Sequence, residues 1–222
     1  MKPLFVIEHL EPEIGKWLYM EYMHTSEIIG KKRLVFTNVK RHKDIELLSK
    51  LGTVKRNSFA EIFTPEKTII LDPKASKKLR PEDFEGKEAV VIGGILGDDP
   101  PKGRTRKLVT ARLSNATVRN LGKEQFSIDG AAYMAKLASE GKRIEKIPVK
   151  KGLTIKLNRF AEIYFPYAYP LKEGKPVISE ALIEYLRSES IVKDEEELLR
   201  NFGSKKAAKE LYIYLSKKKG LI

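Results

Sequence analysis

Two stretches decide how this chain is read: IGGILGDDPPKGRTRKL at residues 92–108 and NLGKEQFSIDGAAYMA at residues 120–135. In the first, the apolar run 89–92 breaks into Gly93-Gly94, passes Leu96-Gly97-Asp98 and meets two prolines. A buried strand that ends in this way opens onto a loop of accessible backbone, and a ligand is expected there.

Outward from that loop the pattern alternates between short apolar runs and amphipathic stretches. Residues 4–7, 34–37, 68–71, 90–93 and 117–119 read as strands. Between and after them, a helix with Pro12 in its first turn, 44–51 closed by Gly52, 104–113, and 129–140 capped by Gly141 read as helices. Such alternation predicts an α/β fold, a mostly parallel sheet with helices on both faces. Past Ile147 the pattern becomes LTIKLNRFAEIYF, the aromatic PYAYP and a turn at residues 172–175, followed by helices over 179–187 and 194–219. The division expected is a main domain over 1–175 and a helical C-terminal appendage over 176–222. On the first helix, Glu21 falls within the stripe of Ile14, Trp17, Leu18, Thr25 and Ile28. Pairing with a lysine or arginine beneath the domain is the expected reason, ahead of a role in the pocket.

Composition bounds the chemistry. With 222 residues and 41% hydrophobic content the chain can bury a sizeable core. The absence of cysteine excludes disulfides, thiolate metal sites, a nucleophilic thiol and cysteine-held iron–sulfur clusters. His9, His24 and His42 show no ligand spacing, so no metal is expected. No apolar run approaches a membrane span, and the hydrophobic start is interrupted by Glu8 and His9, so a cytoplasmic protein without membrane contact is expected. Gln125 is the only glutamine amid abundant Lys, Arg and Glu, a bias of proteins from hot environments.

Forty-three basic against thirty acidic residues give a net charge of +13. A solvated lysine-rich surface explains this as well as a polyanionic partner does, but the distribution favours the partner. Residues 102–123 carry seven Lys or Arg and no acid, and 31–43 are also acid-free. A polyanion such as RNA is the partner these segments suggest.

Loops at strand ends converge in an open parallel sheet. Glu8-His9, Asp72-Pro73, residues 93–98 and Asn120-Leu121-Gly122 all occupy such ends. Gly93, Gly94, Gly97 and Gly122 let backbone approach a planar ligand, while Ile95, Leu96, Leu121 and Phe126 supply apolar walls suited to an adenine ring. Neither G-x-G-x-x-G after a strand nor G-x-x-x-x-G-K-[ST] occurs. The helix after Phe126 shows a small face of Ala131, Met134, Ala135 and Ala138, against which another segment can press.

The order of Leu71-Asp72-Pro73, GGILGD-x-PP-x-x-RT, LGKEQ and Asp129-Gly130-Ala131 resembles the SPOUT superfamily of S-adenosylmethionine-dependent methyltransferases. Within it, the chain is similar to a branch of predicted RNA methyltransferases that includes a eukaryotic ribosomal-protein arginine methyltransferase. IEH at residues 7–9 and the Trp17, Glu21-Tyr22 spacing extend the resemblance over residues 3–137. It implies a deep trefoil knot whose loops begin at Leu71, Gly93 and Asn120 and hold S-adenosylmethionine. The cofactor-binding set is then Leu71, Asp72, Pro73, Gly93, Gly94, Ile95, Leu96, Gly97, Asn120, Leu121, Gly122, Gln125, Phe126, Asp129 and Ala131. Lys102-Gly103 departs from the bulkier, more charged pair of the eukaryotic member.

Because the sulfonium methyl is already activated, the protein has chiefly to align an acceptor and manage one proton. Asp98, Glu8 and Asp129 are the carboxylates placed for that, and Arg104 stands within the family motif; Asp98, Glu8 and Arg104 form the candidate catalytic set. Against these roles, Asp98 can brace the turn before Pro100 and Asp129 can cap its helix. Structured RNA is the acceptor favoured by the basic segments, and the resemblance implies that it belongs to the translation apparatus, with RNA or a ribosomal particle as partner. The alternatives are an arginine of a ribosomal protein and a non-catalytic RNA-binding module. SPOUT relatives commonly pair, so a homodimer is possible unless the C-terminal helices cover that face.

Overall fold

In the computed structural model, residues 2–97, 102–157, 159 and 162–188 are described. Six parallel strands form the main sheet: β1 (Leu4–His9), β2 (Leu34–Thr37), β3 (Thr53–Val54), β4 (Thr68–Leu71), β5 (Ala89–Gly94) and β6 (Thr117–Arg119), in the order β3-β2-β1-β5-β4-β6. Its interior strands are apolar on both sides because both faces are covered. Phe5, Ile7, Val90, Ile92, Ile69 and Leu71 face one core, shared with α1 (Lys16–Ile29), α2 (His42–Ser49) and α5 (Ile128–Ser139). Val6, Val35, Ile70 and Val91 face the other, closed by Phe59 of α3 (Phe59–Ile62) and by Val109 and Leu113 after α4 (Arg104–Leu108). The expected parallel sheet with helices on both faces is therefore present.

Beyond it a three-stranded antiparallel sheet, β7 (Val149–Lys156), β8 (Glu162–Lys172) and β9 (Lys175–Pro176), folds back on the domain. Glu173 and Gly174, both at positive φ, make the β8–β9 turn. Phe165 of β8 meets Trp17 of α1 edge to face at 5.3 Å, and α6 (Glu180–Arg187) closes this layer with Leu182, Tyr185 and Leu186. The helix expected over 194–219 lies outside the described residues. Among the described residues, no helix is long and apolar enough to cross a membrane.

Most elements lie within a residue or two of their expected positions. Two differ for visible reasons. The first helix begins at Lys16 rather than near Pro12, because Glu11 is drawn away to accept the Leu96 amide (2.9 Å) and a guanidinium hydrogen bond from Arg104 (3.3 Å). The helix expected over 104–113 stops at Leu108, where Val109 turns into the core and Thr110 donates its hydroxyl to Asp72 at 2.8 Å.

Gly94 corrects an expectation. It is not ligand space: a Cβ there would lie 2.4 Å from the Tyr22 hydroxyl, 2.8 Å from the Glu8 carbonyl oxygen and 2.9 Å from Ile7 Cγ2. The glycine lets the end of β5 lie against β1 and α1. Gly94→Ala should therefore lower the unfolding free energy by about 2 kcal/mol through overpacking, seen as an earlier midpoint in urea.

Candidate functional site

A cavity of about 300 Å³ opens where β4, β5 and the loop after β6 end, at the lower edge of the usual size for small-molecule sites. Of the fifteen residues expected to hold a cofactor, ten line it: Leu71, Asp72, Pro73, Gly93, Ile95, Gly97, Leu121, Gln125, Phe126 and Ala131. Ile95, Leu121, Phe126 and Ala131 give it apolar walls. Lys74, Lys102, Gly103, Arg104, Thr105, Lys123 and Glu124 also line it. Sequence reading passed over Lys74, which follows Leu71-Asp72-Pro73, and left Thr105 of the Arg-Thr motif without a site role.

A second cavity of about 160 Å³ adjoins the first. The two share Ile95, Gly97, Phe126, Ser127 and Ile128. Trp17, Glu21, Leu96 and Tyr167 line only the smaller one, so Leu96 belongs to this annex. Tyr167 donates its hydroxyl to the Gly97 carbonyl at 2.8 Å, fastening β8 to the loop after β5. A Cβ on Gly97 would fall 2.2 Å from Gln125 Nε2 and 2.6 Å from the Tyr167 ring, so this glycine permits the convergence of three segments.

The remaining expected cofactor residues brace the walls. Asn120 donates its side-chain amide to the Ala75 carbonyl (2.7 Å) and accepts the Gly122 amide (2.9 Å), joining the β6 loop to the β4–β5 connection. Gly122, at φ +120°, supplies the turn rather than a wall. Asp129 is buried, accepts from Ser127 Oγ (2.5 Å) and Gly130 N (2.8 Å), and faces His24 Nδ1 at 2.7 Å. Ser127 is the N-cap and accepts the Gly130 amide at 3.3 Å; Asp129 shares that amide from within the first turn, as the capping alternative anticipates, and also anchors α5 to α1.

Glu8 is also corrected. Strand alternation points it with Val6 towards α3, away from both cavities. There it accepts hydrogen bonds from Thr37 Oγ1 (2.6 Å), Ser58 Oγ (2.6 Å) and Phe59 N (3.0 Å), a set that accounts for its burial without a catalytic role. Arg104 lines the large cavity, donates to the Leu96 carbonyl and pairs with Glu11, bracing the loop after β5. Asp98 lies outside the described residues. Asp72 is fully engaged too: it accepts from Lys74 N (2.8 Å), Arg106 Nε (3.2 Å) and Thr110 Oγ1 (2.8 Å).

Glu21 departs most from expectation. No lysine or arginine is paired with it among the described residues. Trp17 Nε1 donates to Oε1 at 2.8 Å and the Ile128 amide to Oε2 at 3.2 Å. Burial, reinforced by the charge of Asp129 and opposed by those two hydrogen bonds, pushes its carboxyl up to about 8.

Residues 4–193 match the family described as protein arginine N-methyltransferase SFM1-like. The chain is 31% identical to protein arginine N-methyltransferase SFM1 of Saccharomyces cerevisiae over 202 residues, 84% of this chain and 95% of that one. The crystal structure of the yeast arginine methyltransferase SFM1 complexed with S-adenosylmethionine superposes with a TM-score of 0.78 at 28% identity, covering 86% of this chain and 92% of the other. A dual-specific Trm10 from Thermococcus kodakaraensis, at 18% identity and a TM-score of 0.51 over 65% and 96% of the two chains, shares the fold.

Glu8→Ala would leave the Ser58 hydroxyl and the Phe59 amide without this acceptor and the Thr37 hydroxyl with only the Ile7 carbonyl at 3.3 Å, so it should cost about 3 kcal/mol of stability in urea unfolding. Glu8→Gln, which keeps one acceptor oxygen, should cost less.

Proposed function

The chain belongs to the SFM1-like family of protein arginine N-methyltransferases, and on that premise we propose that it methylates a protein arginine with S-adenosylmethionine as donor. The observation that carries the proposal is the larger cavity at the β4, β5 and β6 ends, apolar enough for an adenine and bordered by backbone and by basic side chains. Ile95, Leu121, Phe126 and Ala131 would flank the adenine. Lys74 on the rim suits a carboxylate. When bound, S-adenosylmethionine supplies a methyl group on a sulfonium, activated without help from the protein.

The protein's tasks are then to hold the acceptor in line and to take one proton. The guanidino nitrogen forms its N–CH₃ bond as the S–CH₃ bond breaks and the electron pair stays on sulfur. One N–H proton is lost, and the product remains a cation. The trefoil threading is proposed on the same ground, and adjacency supports it: Leu79 N donates to the Asn120 carbonyl, Asn120 N to that of Lys77, and Asn120 Nδ2 to that of Ala75, so the end of β6 lies against the β4–β5 connection.

Structured RNA is the second acceptor, favoured by the acid-free basic segments. Arginine is preferred because several of those charges are already used within the fold. Arg106 pairs with Asp72, Arg119 with Asp83 at 2.6 Å, and Arg41 with Glu13 at 2.8 Å, while Arg33 lies over the Phe5 ring. The acceptor is sought in the translation apparatus, as the SPOUT branch it resembles implies.

Wild-type protein should bind S-adenosylhomocysteine in calorimetry, and Ala131→Leu, which fills the cavity from α5, should weaken that binding at least tenfold with little change in thermal midpoint. With methyl-labelled donor and ribosomal material, label that survives nuclease and is lost to protease supports the arginine reading. Nuclease-sensitive label gives the reaction to RNA, and no binding of S-adenosylhomocysteine overturns the methyltransferase reading.

A further inference from the structure

We propose that the outer face of α4, the turn Thr110–Arg112 after it and the loops that end β2 and β3 form a docking surface for RNA, which brings the particle carrying the acceptor arginine to the cavity. The inference rests on the reading of a protein arginine in the translation apparatus and names the partner that presents it. RNA is here what the enzyme holds, not what it methylates.

Subtraction isolates the surface. Arg41, Arg106 and Arg119 are paired with acids, and Arg33 lies over the Phe5 ring. Exposed lysines elsewhere also meet acids: Lys67 meets Glu88, Lys78 meets Glu145 and Lys151 meets Glu124. Such interleaving is what an ordinary solvated surface shows. Lys40, Arg56, Lys107 and Arg112 differ: all four are exposed and, among the described residues, none is in an ion pair.

Three contacts join these four side chains into one band. Arg104 and Thr105 at the start of α4 line the larger cavity, whereas Val109 and Leu113 pack with Phe59 and Phe63 of the α3 region. The segment therefore runs from the cavity to α3 with Lys107 and Arg112 on its outer side. Lys40 and Arg112 both act on Glu61 of α3, whose carboxyl is held below the usual range first by the Ser58 amide, next by Asn57 and then by these two cations. That acid is already engaged, accepting from Ser58 N at 2.9 Å and Asn57 Nδ2 at 2.8 Å. Finally, Lys40 and Arg56 donate to each other's carbonyls at 2.7 and 3.2 Å, which fixes both stems without neutralising either charge.

A row of phosphates fits this band, since either guanidinium can take two oxygens of one phosphate and the ammonium groups add point charges. A partner that carries an arginine acceptor is itself cationic, and a chain at +13 repels it. RNA removes the conflict: its phosphates are drawn to the band while it carries cationic proteins. Release of its counterions on contact makes the binding steeply salt-dependent.

Full-length protein is titrated into a fluorescein-labelled RNA duplex of about 20 base pairs and followed by polarisation. Affinity should fall about a hundredfold between about 50 and 200 mM NaCl, and Lys107→Gln with Arg112→Gln should weaken it about tenfold and flatten the log–log salt slope by about 2. Lys31→Gln with Lys32→Gln removes as much charge from the turn before β2, at the opposite edge of the sheet, and should change neither. Both pairs should keep wild-type affinity for S-adenosylhomocysteine, and on ribosomal material the first should raise KM and leave kcat. If Arg112→Gln lowers the thermal midpoint, Lys107→Glu alone carries the same test from an exposed position on α4. Equal effects of the two pairs, or an unchanged KM, overturn the assignment. Poly-L-glutamate competing as well as unlabelled RNA at equal charge gives the band to an acidic protein instead. S-adenosylhomocysteine binding without RNA binding overturns the surface alone, whereas RNA binding without S-adenosylhomocysteine binding counts against the methyltransferase reading and leaves the surface standing.

Discussion

Both cavities depend on how the start of α5 is fastened to α1. Glu21 accepts the Ile128 amide, and His24 meets Asp129, which also receives Ser127 Oγ and the Gly130 amide. Carboxylates at a helix N-terminus satisfy amides with no partner inside the helix and meet the positive end of its dipole. Ala132, Ala135 and Ala138 are fully or almost fully buried, so the helix settles deep in the core once its first turn is fixed. That position determines where the chain from Leu121 to Ser127 runs, and so where it meets the loop after β5. Tyr167 and Arg104 then brace this second loop from opposite sides, through the Gly97 and Leu96 carbonyls.

The sheet was legible in the sequence for a simple reason. Continuous β-branched and apolar runs such as Thr68–Leu71 and Ala89–Gly94 suit strands buried on both faces, and their loops end at the carboxyl edge whatever the details of packing. Ten of the cofactor candidates line one cavity because they follow those strand ends. Glycines were harder to read. A glycine signals that something comes close, but not what: at Gly94 it is Tyr22, at Gly97 it is Gln125 and Tyr167.

Carboxylates were harder still, because their roles are set by partners distant in sequence. Glu8 finds Ser58 fifty residues on, and Glu21 finds the Ile128 amide 107 residues on. A carboxylate on an apolar stripe suggests a buried cation, the usual compensation. Here backbone and indole donors take that place, and protonation supplies the rest. The one visible hint was the spacing of Trp17 and Glu21, four residues apart on a helix, which brings the two side chains together on one face.

The surplus of positive charge and a cationic acceptor are compatible on physical grounds. At physiological ionic strength the screening length is about 8 Å, so a charge within the site responds mainly to groups within that radius. Around the smaller cavity these include the Glu21 carboxyl in its wall, and Arg104 and Glu11, which hold the backbone of Leu96 at its edge. Several arginines that raise the net charge are meanwhile held by acids of their own: Arg106 by Asp72, Arg119 by Asp83, Arg41 by Glu13. The net charge governs approach, whereas the groups that line a site govern residence. A net positive chain and a cationic acceptor are therefore not in conflict, because much of the charge that sets the total is paired within the fold and away from the site.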